Sequence, residues 1–308
     1  MQNRREFLKN TGAIALGSMF LPNLADTFGK KLTPKNFGVQ LYTTMSIIDN
    51  DVTGTLKQIA DIGYKDIESA FSRKGGYYGM KPKEFAKVLS DMGMTWQAHH
   101  ISGAPFRMPT PKPGEAPNPN AEAFKKMPPM KSLMNDTQQV VDEVTEGGVK
   151  YLVCANIPVN TSEDLKSSIE ILQKAGEACK KAGISLIYHN HTAEFEKVDG
   201  KLPFEVFASE ISADLMKFEL DLAWATKAGV NIPELFKKHA GRFPLFHVKD
   251  LEKETMKPVE VGTGIVDFKA IFAAAEIAGV KHLFVEQDSA PSPVANLTTS
   301  FENLKKMV

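Results

Sequence analysis

Residues 162–189 read SEDLKSSIEILQKAGEACKKAGISLIYH: an amphipathic stretch rich in Ala, Lys, Glu and Leu from Ser162 to Ala182, then Gly183, then a short apolar run from Ser185 to His189. Apolar residues recurring at helical spacing and closed by a glycine in the cap position mark a helix, and the β-branched and aromatic run after it marks a strand. The same order of helix, glycine and strand recurs at Val52 to Ile62 with Gly63, Lys83 to Met92 with Gly93, Ser132 to Gly147 with Gly148, and Phe268 to Ala278 with Gly279. Strands are expected at Phe37 to Tyr42, Tyr64 to Ser69, Thr95 to His100, Tyr151 to Ala155, Ser185 to His189, Lys217 to Leu222, Leu245 to Lys249 and Leu283 to Gln287. Eight βα units in about 270 residues have the size of a (β/α)8 TIM barrel. No glycine-rich phosphate turn follows Tyr42, as a doubly wound dinucleotide fold would require. The expected fold is therefore α/β, a single barrel over residues 31–308.

Composition narrows the function. Of 308 residues, 43% are apolar and 24% charged, enough for a full core. Lys plus Arg and Asp plus Glu number 37 each, so no overall positive field exists to hold a nucleic-acid backbone. With only Cys154 and Cys179, a disulfide framework or thiolate metal cluster is excluded, and both read as small buried apolar residues.

Residues 1–30 differ from the rest. Arg4-Arg5-Glu6-Phe7-Leu8-Lys9 precedes a mildly apolar run from Thr11 to Leu21, an arrangement that resembles a twin-arginine export signal and implies action in the periplasm. The run is too short for a stable membrane anchor, which needs about 20 apolar residues. A second irregular segment, Gly103 to Pro129, carries eight prolines. It should be a long loop after the third strand, over the barrel mouth.

Barrel interiors are apolar, and reactive groups project from the carboxyl ends of the strands. Those ends carry Glu68, His99 and His100, His189 and His191, Asp221, His247 and Lys249, and Glu286, including five of the seven histidines. If strands five to eight are neighbours, His189, Asp221, His247 and Glu286 surround one half of the mouth and can converge on one divalent ion. Imidazole and carboxylate ligands without thiolate suit Mn²⁺, Co²⁺, Zn²⁺ or Mg²⁺, with open oxygen-rich coordination favouring Mn²⁺. Lys249, two residues beyond His247, shares its face.

Several pieces in order resemble the xylose isomerase-like barrels of the sugar phosphate isomerase/epimerase group, which has relatives among ketose 3-epimerases, inosose dehydratase and endonuclease IV. They are Tyr188-His189-Asn190-His191 with Glu194-Phe195, Glu219-Leu220-Asp221-Leu222-Ala223-Trp224, Phe246-His247-Val248-Lys249-Asp250, Gly262-Thr263-Gly264, and Phe284-Val285-Glu286-Gln287-Asp288. The resemblance implies a metal set of His189, Asp221, His247 and Glu286, and an acid/base or substrate-binding role for Glu68. Gly262 and Gly264 would shape the loop after strand seven, as a structural turn or a close approach to a ligand. Two positions depart from the epimerases of the group: His189 stands where they carry a glutamate base, and Trp224 where they carry a histidine.

The chemistry implied begins with a sugar whose carbonyl and neighbouring hydroxyl chelate the ion, so that the adjacent carbon loses a proton to give an enediolate. Glu286, Glu68, Lys249 and His99 are the catalytic candidates. Trp224, His191, Glu194 and Tyr42 are the substrate-binding ones. Reprotonation gives isomerisation or epimerisation; expulsion of a β-leaving group gives a lyase or dehydratase acting on 3-keto sugars or glycosides. A nonenzymatic sugar-binding barrel is the alternative of another class. The partners expected are a small sugar or glycoside and, by the habit of the group, further copies of the chain.

Overall fold

The computed structural model describes residues 36–105, 128 and 130–308. The export-like leader and most of the proline-rich loop lie outside the described residues. Eight parallel strands close into a barrel: β1 (Gly38–Gln40), β2 (Asp66–Ser69), β3 (Thr95–Ser102), β4 (Tyr151–Asn156), β5 (Ser185–His189), β6 (Met216–Asp221), β7 (Leu245–Val248) and β8 (His282–Val285), each beside its sequence neighbours, with β8 closing on β1. Helices pack outside it. α1 (Val52–Ile62) starts where the Asp51 carboxylate accepts the Gly54 amide at 2.8 Å, and stops at Gly63, whose φ of 119° only glycine adopts freely. All five glycines that close the repeated units have positive φ. Among the described residues no helix is long and apolar enough to cross a membrane.

Several elements differ from the sequence expectation: the first strand, expected from Phe37 to Tyr42, ends at Gln40, and Leu41–Thr44 form a 3-10 helix. The helix expected from Phe268 to Ala278 is two short helices, Phe268–Ala273 and Ala275–Ala278, meeting at Ala274. The sixth strand stops at Asp221, because that side chain caps the helix Leu222–Lys227 by accepting the Trp224 amide at 2.8 Å. The last strand ends at Val285, so Glu286 lies just past the pleat. Cys154 and Cys179 are both free and buried.

The barrel interior is stacked in layers, as strand periodicity requires. Ala98, Val153, Ile187, Leu245 and Phe284, all fully buried, form the apolar plug. Truncating Ile187 or Phe284 to Ala would leave a hole costing about 2–5 kcal/mol. Two residues further along the same strands, on the same inward face, come His100, Ala155, His189, His247 and Glu286. Register aligns the rest: Glu219 pairs with His189, Asp221 with His247, and Gln40 with Glu68. The apolar plug therefore fixes the height of every ionisable group above it.

After β7 the chain wraps around one side chain. The Asp250 carboxylate accepts the amides of Leu251, Gly262 and Gly264 at 2.9 Å and of Val266 at 3.0 Å. A Cβ on Gly264 would lie 2.2 Å from the Leu251 carbonyl oxygen, which is why glycine stands there. The Gly262-Thr263-Gly264 segment is thus a structural turn built on Asp250.

Candidate metal centre

In the mouth layer a lysine ammonium sits among three carboxylates. Lys249 Nζ lies 3.1 Å from Asp221 Oδ2, 2.6 Å from Glu286 Oε2 and 2.6 Å from Asp288 Oδ2, while only 1% exposed. Burial alone pulls the Lys249 ammonium down, but Asp221, Glu286 and Asp288 together push its pKa well above the ordinary value. Burial likewise raises Glu286, yet Lys249 and His247 hold it well below the carboxylate range. Asp221 is raised, burial outweighing Lys249 and His247. Its Oδ2 is 3.9 Å from His247 Nδ1 and 4.0 Å from His189 Nε2, and makes no directed hydrogen bond. The ligand atoms of Asp221, His247 and Glu286 all lie within 4.8 Å of one another, and a buried carboxylate oxygen lacking a hydrogen bond is what a metal ion would satisfy. These residues fit a divalent ion, with Lys249 at its edge.

One layer deeper is a second cluster. Glu219 Oε2 lies 2.9 Å from His100 Nε2 and 3.0 Å from both His189 Nδ1 and His247 Nε2. Glu68 Oε2 is 2.5 Å from His247 Nε2 and accepts the Gln40 amide at 2.9 Å; its other oxygen faces His100 Nε2 at 3.4 Å. His247 therefore spans both layers, since its Nδ1 also meets Glu286 at 2.9 Å. Burial lowers His100, but Glu68 and Glu219 raise it to about 9. His189 goes well below its ordinary value through burial and the neighbouring His247 charge.

The other sequence-predicted residues scatter around these layers. A cavity of about 410 Å³ opens on Lys249, Glu286 and Asp288, with His100, His189 and His191, and has Tyr42 and Phe71 on its wall. Asp221, His247 and Glu68, all fully buried, sit beneath that floor. His99 lines the cavity too, but its Nδ1 is engaged with Ser69 Oγ at 2.8 Å, and burial depresses its pKa to about 3. Glu194 accepts the Tyr188 hydroxyl and the His191 amide at 2.7 Å each, so it shapes the loop that presents His191. Trp224 does not line the cavity; its ring lies under Lys249 Nζ at 5.0 Å. Glu219, His100 and Asp288 join the site although the sequence reading, which quoted all three, assigned them no role. Strand parity is the signal that finds the first two: Glu219 precedes Asp221 by two, and His100, not His99, shares the inward parity of Ala98.

A closed parallel barrel whose carboxyl-end mouth gathers imidazoles and carboxylates defines a (β/α)8 barrel with residues that could hold a metal. This chain belongs to the xylose isomerase-like TIM barrel family, whose profile matches residues 56–307. It is 22% identical over 246 residues to an inosose dehydratase of Geobacillus thermodenitrificans, covering 72% of this chain and 78% of that one. A crystal structure of a sugar phosphate isomerase/epimerase from Parabacteroides distasonis superposes with a TM-score of 0.69 at 26% identity, over 90% of this chain and 96% of the other. The crystal structure of the IolI protein with a bound zinc atom matches at TM-score 0.65 and 15% identity, over 89% and 98% of the two chains, a likeness of fold.

Proposed function

We propose that the protein is a metal-dependent sugar isomerase or epimerase that removes a proton from the carbon next to a carbonyl. The observation that carries this reading is the convergence of Asp221, His247, Glu286 and Lys249 under one mouth cavity. Asp221, His247 and Glu286 would hold a divalent ion, with His189 beside them, and such an ion supplies polarisation of the substrate carbonyl. The protein's own groups supply the rest. Glu286 lines the cavity and is kept ionised by Lys249 and His247, so its carboxylate can take the proton. The Lys249 ammonium, fixed by three carboxylates, can stabilise negative charge developing on the carbonyl oxygen. Tyr42 and Phe71, with ring centroids 6.3 Å apart, offer an apolar wall to a sugar ring.

The charges lining the cavity favour a neutral sugar over a phosphorylated one. Among the described lining residues the lysines are Lys131 and Lys249; the first is paired with Glu143 at 2.5 Å, the second with three carboxylates. Neither is left over for a phosphate. An exported enzyme would meet glycosides and free sugars, consistent with the leader; fractionation of cells carrying the full chain tests that location.

Elimination is the second reading, supported by the similarity to an inosose dehydratase. It begins with the same proton removal and ends with loss of a β-leaving group. The test is proton-to-deuterium exchange in heavy water on a panel of keto sugars and 3-keto glycosides, wild type beside Asp221→Asn, with metal analysis of both. Exchange next to the carbonyl that disappears in the variant supports the enzyme, and the product separates isomerisation from elimination. A metal-loaded protein that exchanges no substrate on the panel refutes both readings and leaves a sugar-binding barrel.

A further inference from the structure

We propose that the deeper cluster of His100, His189, Glu219 and His247 is a second metal site, distinct from the Asp221, His247 and Glu286 set and selective for imidazole-preferring dications such as Zn²⁺ and Co²⁺. The inference does not depend on the reaction proposed above.

Its geometry is that of a small cage. Three imidazole nitrogens from three strands, His100 Nε2, His189 Nδ1 and His247 Nε2, surround a single oxygen, Glu219 Oε2, at 2.9–3.0 Å. The four ligand atoms lie within 4.8 Å of one another. Ligands about 2.1 Å from a tetrahedral ion stand about 3.4 Å apart, so each nitrogen-to-oxygen contact must open by about half an ångström to admit one. The bonding around Glu219 is lopsided. Three nitrogens crowd its Oε2, while its Oε1, fully buried, has no hydrogen-bond partner; Glu68 Oε1 has only the long 3.4 Å approach of His100 Nε2. A buried carboxylate oxygen left without a partner, as Glu219 Oε1 is, is costly unless a cation completes it.

The donor set decides the ion. Three nitrogens and one carboxylate suit Zn²⁺ and Co²⁺, whereas the mouth set, one nitrogen among carboxylates, suits Mn²⁺ and Mg²⁺. The layers also divide their positive charge differently. Lys249 offsets part of the mouth carboxylates' charge, and among the described residues no lysine or arginine contacts the deep layer. His247 belongs to both sets through opposite ring nitrogens. A neutral imidazole offers one free nitrogen at a time, so an ion in the deep set leaves Asp221 and Glu286 to hold a second, weaker ion at the mouth.

Co²⁺ titration of metal-free protein, read by visible absorption, tests this. A tetrahedral nitrogen-rich site gives an intense band, which an oxygen-rich, higher-coordinate site does not. Expected are an intense band in wild type, affinity about 100-fold weaker or worse in both His100→Ala and Glu219→Gln, and affinity within about threefold of wild type in Asp221→Asn. Circular dichroism checks that each variant folds, and His100→Gln replaces His100→Ala if that chain does not. The proposal is overturned if either deep variant keeps wild-type Co²⁺ affinity, if Asp221→Asn loses as much as they do, or if wild type shows no intense band. Deuterium exchange is read separately, so failure here leaves the catalytic reading standing, and the reverse.

Discussion

Replacing Lys249 by Met removes, among the described residues, the only ammonium beside Asp221, Glu286 and Asp288 while keeping most of the side-chain volume. At 2.6 Å and an effective dielectric constant of about 20, each closest pair is worth about 6 kcal/mol before desolvation is subtracted. Breaking a buried ion pair from one side costs about 3–5 kcal/mol net, because the partner charge is left behind. For a chain of this size that is a fall in Tm of about 6–20 °C. The assay is thermal unfolding in chelator, wild type beside Lys249→Met, from pH 4 to 8. Glu286 is held below the ordinary carboxylate range, so its contribution is present above that range and lost as pH falls. In the variant the carboxylates are free to take up protons, so the gap between the two proteins is widest near neutrality and narrows toward pH 4. A divalent ion added at neutral pH restores part of the loss. A Tm within about 2 °C of wild type at neutral pH in chelator refutes the assignment of Lys249 as the cation of the mouth layer.

Three further outcomes are expected. His99 is depressed to about 3, so it stabilises the metal-free fold above the ordinary histidine pKa and loses that contribution as pH falls from about 6.5 toward 3. His99→Gln should flatten the stability profile in that window, by up to about 1.4 kcal/mol per pH unit, measured by urea unfolding in chelator. Gly264→Ala places a Cβ 2.2 Å from the Leu251 carbonyl oxygen and forces the loop off Asp250; unfolding should show a loss of about 1–3 kcal/mol, and an unchanged midpoint would refute the packing described. Asp221→Asn should slow substrate deuterium exchange about 100-fold or more while the Co²⁺ band persists, and unimpaired exchange would remove Asp221 from the mouth site.

Much of this was legible in the chain itself. Repeated helix, glycine and strand segments announced the barrel because each unit obeys local rules: a stripe of apolar residues, a left-handed cap, a buried run. His189, Asp221, His247, Lys249 and Glu286 were legible as strand-end residues, and the structure brings them to one half of the mouth. The gap between His99 and His100 was not legible from composition, since adjacent residues on a strand face opposite sides and only the register against Ala98 decides which is inside. Glu219 was hidden for a related reason. Only its parity with Asp221 marks it as inward, and it takes three histidines from three other strands to hold it. Trp224 was expected among the substrate-binding residues, but the helix capped by Asp221 turns its ring beneath Lys249.

The turn around Asp250 has a consequence of its own. Four converging amides make a receptor for an anion, and here the guest is tethered to the host. Free phosphate or carboxylate is thereby shut out of a loop that would otherwise welcome it, and the shape of more than a dozen residues hangs on one side chain. Cutting the tether with Asp250→Gly would turn a structural knot into an empty cup, one that formate in the buffer should refill and stiffen.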